Sequence, residues 1–227
     1  MEQKHEQLTV GALYQHPAHS IAYAWLAGFT YPWEALAGIS DCILAIGATL
    51  SEAEYDRIGE DIWVSKRATV AKTASINGPC IIGPEAEVRH CAFIRGSAIV
   101  GAGAVVGNST ELKNCILFDG VQVPHYNYVG DSVLGYKAHM GAGSITSNVK
   151  SDKTAVVVRG DGEALETGRR KFGAMLGDFV EIGCNSVLNP GTVIGAHSNV
   201  YPLSSVRGVV PRDSIYKARD CIVKKDN

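Results

Sequence analysis

Residues 80–106 read CIIGPEAEVRHCAFIRGSAIVGAGAVV, and their spacing decides the fold. Every sixth position is a bulky aliphatic residue: Ile82, Val88, Ile94, Val100 and Val106. A small residue, Ala86, Ala92, Ala98 or Ala104, sits four places after each of the first four. The rule runs back to Val64, Val70 and Ile76 and forward to Leu112 and Phe118. It resumes at Leu176, Ile182, Leu188, Ile194, Val200 and Val206, with Leu134 and Met140 between the blocks in a shifted phase. On an α-helix six residues advance about 600°, so these side chains would share no face. On a strand six is a multiple of the two-residue period, so all of them point one way. Short strands at a constant period predict a solenoid, in which each coil buries its apolar residue only against its neighbours.

The rest of the composition narrows the function classes. The 227-residue chain carries 21 basic and 23 acidic residues, a net charge of −2, which argues against a nucleic-acid or membrane partner. The opening MEQKHEQLTV has no basic stretch followed by an apolar segment, so no secretory signal is expected. The apolar stretches near 20–33 and 42–50 are too short to span a bilayer. Cys42, Cys80, Cys91, Cys115, Cys184 and Cys221 show no close pairing and no zinc-type spacing. Reduced thiols and a cytoplasmic location follow as expectations.

Three regions depart from the repeat. Residues 1–60 predict a helical attachment that caps the open first coil: Leu36, Ile39, Ile43 and Ile46 have helical spacing behind Pro32, and SEAE at 51–54 suits a capping box for a second helix. The solenoid proper is expected over 61–213, with 214–227 as a tail. Its own interruptions are DGVQVPHYNYVGD at 119–131 and an insertion at about 148–172, which reads as a projecting hairpin with GDGE at the turn and Arg169, Arg170 and Lys171 on the return. Interruptions of a regular scaffold are where a site is expected. His125 stands out there, because an imidazole can take a proton near neutral pH.

The repeat resembles that of the hexapeptide-repeat acyltransferases, which implies a mainly β fold: a left-handed parallel β-helix assembled as a homotrimer. Residues 93–148 resemble more closely the acetyltransferase domain of bifunctional glucosamine-1-phosphate acetyltransferase/N-acetylglucosamine-1-phosphate uridylyltransferase and of archaeal sugar-1-phosphate nucleotidylyltransferases. The stretch that carries this is GNSTELKNCILFDGVQVPHYNYVGDSVLGYKAHMGAGSITSN. The resemblance implies acetyl-CoA as co-substrate and an amino-sugar phosphate as acceptor, with no metal. It places His125 on the catalytic base and Asn148 on a residue orienting the amine or the base. Arg95 and Tyr128 fall on phosphate and sugar contacts, and Gly141, Ala142 and Gly143, with Cys184, on the acetyl-CoA side.

The chain also departs from that pattern. Gln122 stands where the family has a lysine three residues before the histidine, Val149 where it has a tyrosine and His139 where it has an asparagine. Lys150 and Lys153 are candidates to restore the missing charge. Residues 1–60 carry no glycine-rich nucleotide loop, so no nucleotidyltransferase domain is expected. The histidines lack the five-residue spacing of the zinc-binding carbonic anhydrases that share this architecture, and no cysteine has a histidine suitably placed to activate it. A non-catalytic protein binding a sugar nucleotide or phosphosugar is the alternative reading.

Overall fold

The structure, a computed structural model, describes residues 5–160 and 163–225. Three parallel faces run the length of a solenoid. The first stacks Ile62–Ser65, Cys80–Ile82, Ala98–Val100, the second half of Glu111–Leu117, the second half of Tyr128–Leu134, Ala174–Leu176 and Thr192–Ile194. Thr69–Val70, Glu87–Val88, Val105–Asn108, Gln122–His125, His139–Met140, Glu181–Ile182 and Asn199–Val200 form the second. Ser75–Ile76, Phe93–Ile94, the starts of the two long strands, Ile145–Thr146, Val187–Leu188 and Ser205–Val206 form the third. This is the stacked-coil, mainly β architecture of the left-handed β-helix, as expected. The six-spaced residues Ile82, Val88, Ile94, Val100 and Val106 are all buried between the faces.

The phase shift has two definite places. Cys80 stacks on Ala98, eighteen residues on, but Ala98 stacks on Cys115 after only seventeen. One residue is lost at the corner holding Asn114, which takes a positive φ of 49°, and a second at the equally short corner holding Asp131, since Cys115 stacks on Ser132 after seventeen. Leu117, not Phe118, therefore lies over Val100. Phe118 is buried all the same, with its ring 5.0 Å from that of Tyr14. Residues 119–131 do not break out of the coil as a loop: Gln122 stacks on Val105 and His125 on Asn108.

The N-terminal segment caps the first coil with a strand, not with its helices. The Ile39–Gly47 helix packs across Cys80–Ile82, Ala98–Val100 and Glu111–Leu117, on the flank of the first face. Further along, the Tyr14 hydroxyl donates to the Val133 carbonyl at 3.3 Å and the Asp178 amide donates to the Leu13 carbonyl at 3.0 Å. The cause is a second apolar column: Ile81, Ile99, Ile116, Val133, Met175 and Val193 sit between inward-facing neighbours, and all are 1% exposed or less. A face with such a column needs cover. The open end is closed instead by Tyr55–Gly59, antiparallel to Ile62–Ser65. SEAE makes no helix: the Ser51 hydroxyl accepts from the Ala53 amide at 3.2 Å and turns the chain into that strand.

Two more expectations change. Residues 214–225 are not a tail, because Ser214–Ala218 stacks on Asn199–Val200 and Cys221–Lys224 folds back antiparallel on it. The insertion is a hairpin, Val157–Gly160 paired with Glu163–Glu166, but it lies along the solenoid. Val156 and Val158 are buried, and Gly208 meets the Arg159 carbonyl. Residues 161–162 of its expected GDGE turn lie outside the described residues.

Candidate active site

His125 ends its strand at the corner between the second and third faces, and Tyr126 makes the turn at φ 39°. A bulky residue there is strained, so something must hold it. Asn127 is the holder. Its buried side chain accepts from the His125 amide at 3.1 Å and donates to the carbonyls of Gly141 at 2.8 Å and Ser144 at 3.1 Å. The Gly143 amide donates back to the His125 carbonyl at 3.1 Å. The histidine backbone is thus clamped to the turn of the next coil. Its imidazole is exposed and makes no hydrogen bond among the described residues, with only the Tyr126 ring 6.5 Å away. An exposed, unengaged imidazole on a fixed backbone is equipped to accept a proton.

The same corner carries the other residues expected on the acetyl-CoA side. Gly141 stacks so tightly on the Cys184 amide that a Cβ would lie 2.7 Å from it, and Gly143 turns at φ 71°. The Asn185 amide donates to the Ala142 carbonyl at 2.8 Å, and the Leu203 amide to that of Cys184 at 2.9 Å. The amide of Ala142 has no acceptor among the described residues. The column ends at a groove of about 720 Å³, where Pro202 and Leu203 face Arg159, Arg207, Lys217 and Arg219.

A second group gathers at the far end of the third face. The Tyr128 side chain lies over Gly130, where a Cβ would come within 2.5 Å of its hydroxyl. That hydroxyl accepts from Asn148 Nδ2 at 3.2 Å, and the same nitrogen donates to Asp131 Oδ2 at 2.5 Å. Asn114 donates to Asp131 Oδ1 at 2.9 Å and to the Leu36 carbonyl at 3.0 Å, and Lys113 Nζ is 3.6 Å from Asp131. Burial, reinforced by Asp131 and Glu111, holds the Tyr128 phenol above its ordinary range. It is therefore a neutral hydrogen-bond donor at physiological pH. Arg95 donates to Glu111 at 2.7 Å beside it.

The predicted residues thus fall into two groups. His125, Gly141, Ala142, Gly143 and Cys184 share one corner; Arg95, Tyr128 and Asn148 gather on the third face, towards Asp131. Gln122 joins neither, since it points outward from the second face beside Val105 and His139. Lys150 turns into its own loop, donating to Thr154 at 2.5 Å and lying 3.4 Å from Asp152, and Lys153 is exposed in that loop. Sequence reasoning passed over Lys113, Asn114, Asp131 and Asn127. Lys113 was in plain sight as the lysine of GNSTELK. Asn127 gave no signal, because it occupies a position that other coils fill with a small residue. Among the described residues no three His, Cys, Asp or Glu side chains are placed to hold a metal ion. No helix among them is long and apolar enough to cross a membrane.

Comparison with known proteins places the fold among familiar ones. The family model described as the GMPPB C-terminal domain matches residues 76–200, more than half of the chain. A bifunctional sugar-1-phosphate nucleotidylyltransferase/acetyltransferase of Sulfurisphaera tokodaii is 33% identical over 165 residues, 65% of this chain and 40% of that protein. The bifunctional protein GlmU of Methanococcus vannielii is 34% identical over 60% of this chain and 33% of its own. The chain therefore spans well under half the length of these relatives. Among solved structures, the acetyltransferase domain of PglB from Neisseria gonorrhoeae is similar at 17% identity and a TM-score of 0.37, over 72% of this chain and 57% of that one.

Proposed function

The chain belongs to the GMPPB C-terminal domain family, and from that premise we propose that it is an acetyl-CoA-dependent N-acetyltransferase acting on an amino-sugar phosphate. The observation that carries this reading is the His125 imidazole, exposed and unengaged on a backbone fixed by Asn127 and Gly143. The acceptor amine attacks the thioester carbonyl carbon while His125 takes the proton from the nitrogen. The Ala142 amide donates to the oxyanion of the tetrahedral intermediate. Collapse breaks the C–S bond, and the proton held by His125 passes to the departing CoA sulfur. The thioester arm runs along the corner of Ala142 and Cys184, and the CoA phosphates reach Arg159, Arg207, Lys217 and Arg219.

Arg95, Tyr128 and Asn148 bind the sugar phosphate. They gather on the third face, next to the His125 corner, and a neighbouring copy completes the working site. The first face is sealed by the chain's own N-terminal segment, which leaves the corner of His125 and the two faces beside it for packing. A trimer joins the His125 corner of one copy to the third face of the next. The test is CoA release from acetyl-CoA with a panel of amino-sugar phosphates. His125→Ala should lower kcat by about 10²–10⁴-fold, as loss of a general base does. A loss below about tenfold overturns the base assignment. One observation favours the non-catalytic alternative: Glu111 already occupies the Arg95 guanidinium. CoA release by any amino sugar decides against it.

A further inference from the structure

The Asp131 cluster opens into a groove of about 590 Å³ that the coil repeat alone does not build. One wall is the N-terminal segment at Leu36, Ala37 and Ser40, and the opposite wall is the return of the insertion at Arg169, Arg170 and Lys171. The floor, Asn114 and Asp131, belongs to the solenoid corner. Contacts across the groove fix both walls. Arg169 Nη2 donates to the Glu34 carbonyl at 3.0 Å, the Trp33 and Phe172 rings stack at 5.7 Å, and Asn114 holds the Leu36 carbonyl. Val149 bridges to Lys171, and the Phe172 amide donates to the Asn148 carbonyl at 2.9 Å, so the basic run ends next to Asn148.

Charge makes the groove more than a gap. Its one carboxylate, Asp131, is already matched by Asn114, Asn148 and Lys113. Arg170 and Lys171 are exposed and form no ion pair among the described residues. Arg95, the cation at the sugar-phosphate end, is committed to Glu111. Unpaired positive charge among the described residues therefore lies on the return of the insertion, beside Asn148 and apart from Arg95. A guanidinium and an ammonium with no ion-pair partner among the described residues, lining a fixed groove, fit phosphate oxygens.

Resting on the acetyltransferase reading, we infer that the Arg169–Arg170–Lys171 groove binds the outer phosphate of a nucleoside-diphosphate-linked amino sugar, and that this, not a sugar monophosphate, is the acceptor. The inner phosphate lies by Tyr128 and Asn148, the outer one on Arg170 and Lys171, and the nucleoside extends along the Leu36–Ser40 wall. Two measurements on the full chain test it. In calorimetric titration inorganic pyrophosphate should bind at least about tenfold more tightly than inorganic phosphate, and Arg170→Ala/Lys171→Ala should erase that advantage. Equal affinities, or an advantage that survives the double substitution, overturn the inference. Both side chains are exposed, and an unchanged thermal midpoint verifies that the variant is folded. In the second measurement, CoA release is compared for an amino-sugar 1-phosphate and the matching nucleoside-diphosphate amino sugar. Preference for the diphosphate supports the inference, and equal or better turnover of the monophosphate overturns it while leaving the acetyltransferase reading intact. Pyrophosphate preference without release from either sugar supports the subsite and removes the acetyltransferase reading.

Discussion

Cys42, Cys80 and Cys115 are buried, and burial pushes the Cys42 thiol up to about 11 and the Cys80 thiol up to about 12, with Cys115 also raised. The thiolate is the reactive form, so all three should be silent towards a disulfide reagent at pH 8 and react only after unfolding. Counting thiols with and without denaturant checks this, and rapid reaction of any of the three in the native protein contradicts it. Tyr14 gives a second prediction. Its burial, aided by Asp178, holds the phenol well above the ordinary 10.0. A raised folded value means that the contribution of neutral Tyr14 is fully present below the unfolded value and is lost as pH climbs through the folded one. Urea midpoints of the wild type should thus fall more steeply above about pH 10 than those of Tyr14→Phe. Parallel slopes would show that the phenol is not the titrating group. His125 was singled out at this scale, because an imidazole needs no partner to be noticed. Asn127 was not, because its role lies entirely in carbonyls of the next coil.

Corners set the precision of each coil. Pro124 precedes His125, and its backbone runs so close to Gly107 that a Cβ there would lie 1.6 Å from the Pro124 carbonyl oxygen. Gly107→Ala therefore cannot be absorbed by a side-chain shift. It should cost at least about 1–3 kcal/mol by urea unfolding, as overpacking does. An unchanged midpoint would mean that the coils part without penalty. Helix and strand elements differed in legibility for a local reason. The Ile39–Gly47 helix was visible from its spacing, whereas SEAE contains a sound capping pattern that Ser51 uses for a turn. A cap signal is local, but the strand it leads into forms only because Ile62–Ser65 offers an edge to pair with.

The whole molecule is a β-helix wearing its own N-terminal segment and insertion. The outward column Ile81, Ile99, Ile116, Val133, Met175 and Val193 makes that cover obligatory, since each such side chain loses roughly 1.5–3 kcal/mol when left in water. Ile99→Asp places an unpaired carboxylate under the Ile39–Gly47 helix. The expected result is a loss of more than about 3 kcal/mol together with binding of a hydrophobic dye as the segment lifts. Near wild-type stability without dye binding would mean that the segment is dispensable cover. The column was printed in the sequence, one residue before each of Ile82, Val100, Leu117, Leu134, Leu176 and Ile194, and it marks this face as the one turned away from solvent.

The sequence by itself determined the solenoid, because a six-residue period puts each apolar side chain in the same place in every coil, whatever surrounds the coil. It also marked the insertion and singled out His125, Tyr128 and Asn148, though not Lys113, Asn114, Asn127 or Asp131. Only the tertiary structure decided which of them stand together. Residues lost at Asn114 and at Asp131 shift the stacking of the coils that follow, and the histidine of an apparent loop is in fact clamped at a corner, with Tyr128 and Asn148 on the face beside it. The groove beside Asp131 likewise joins segments more than a hundred residues apart, Leu36 and Arg169. Such meetings depend on how coils stack and what covers them, and that information is in distances between segments, not in the spacing along either one.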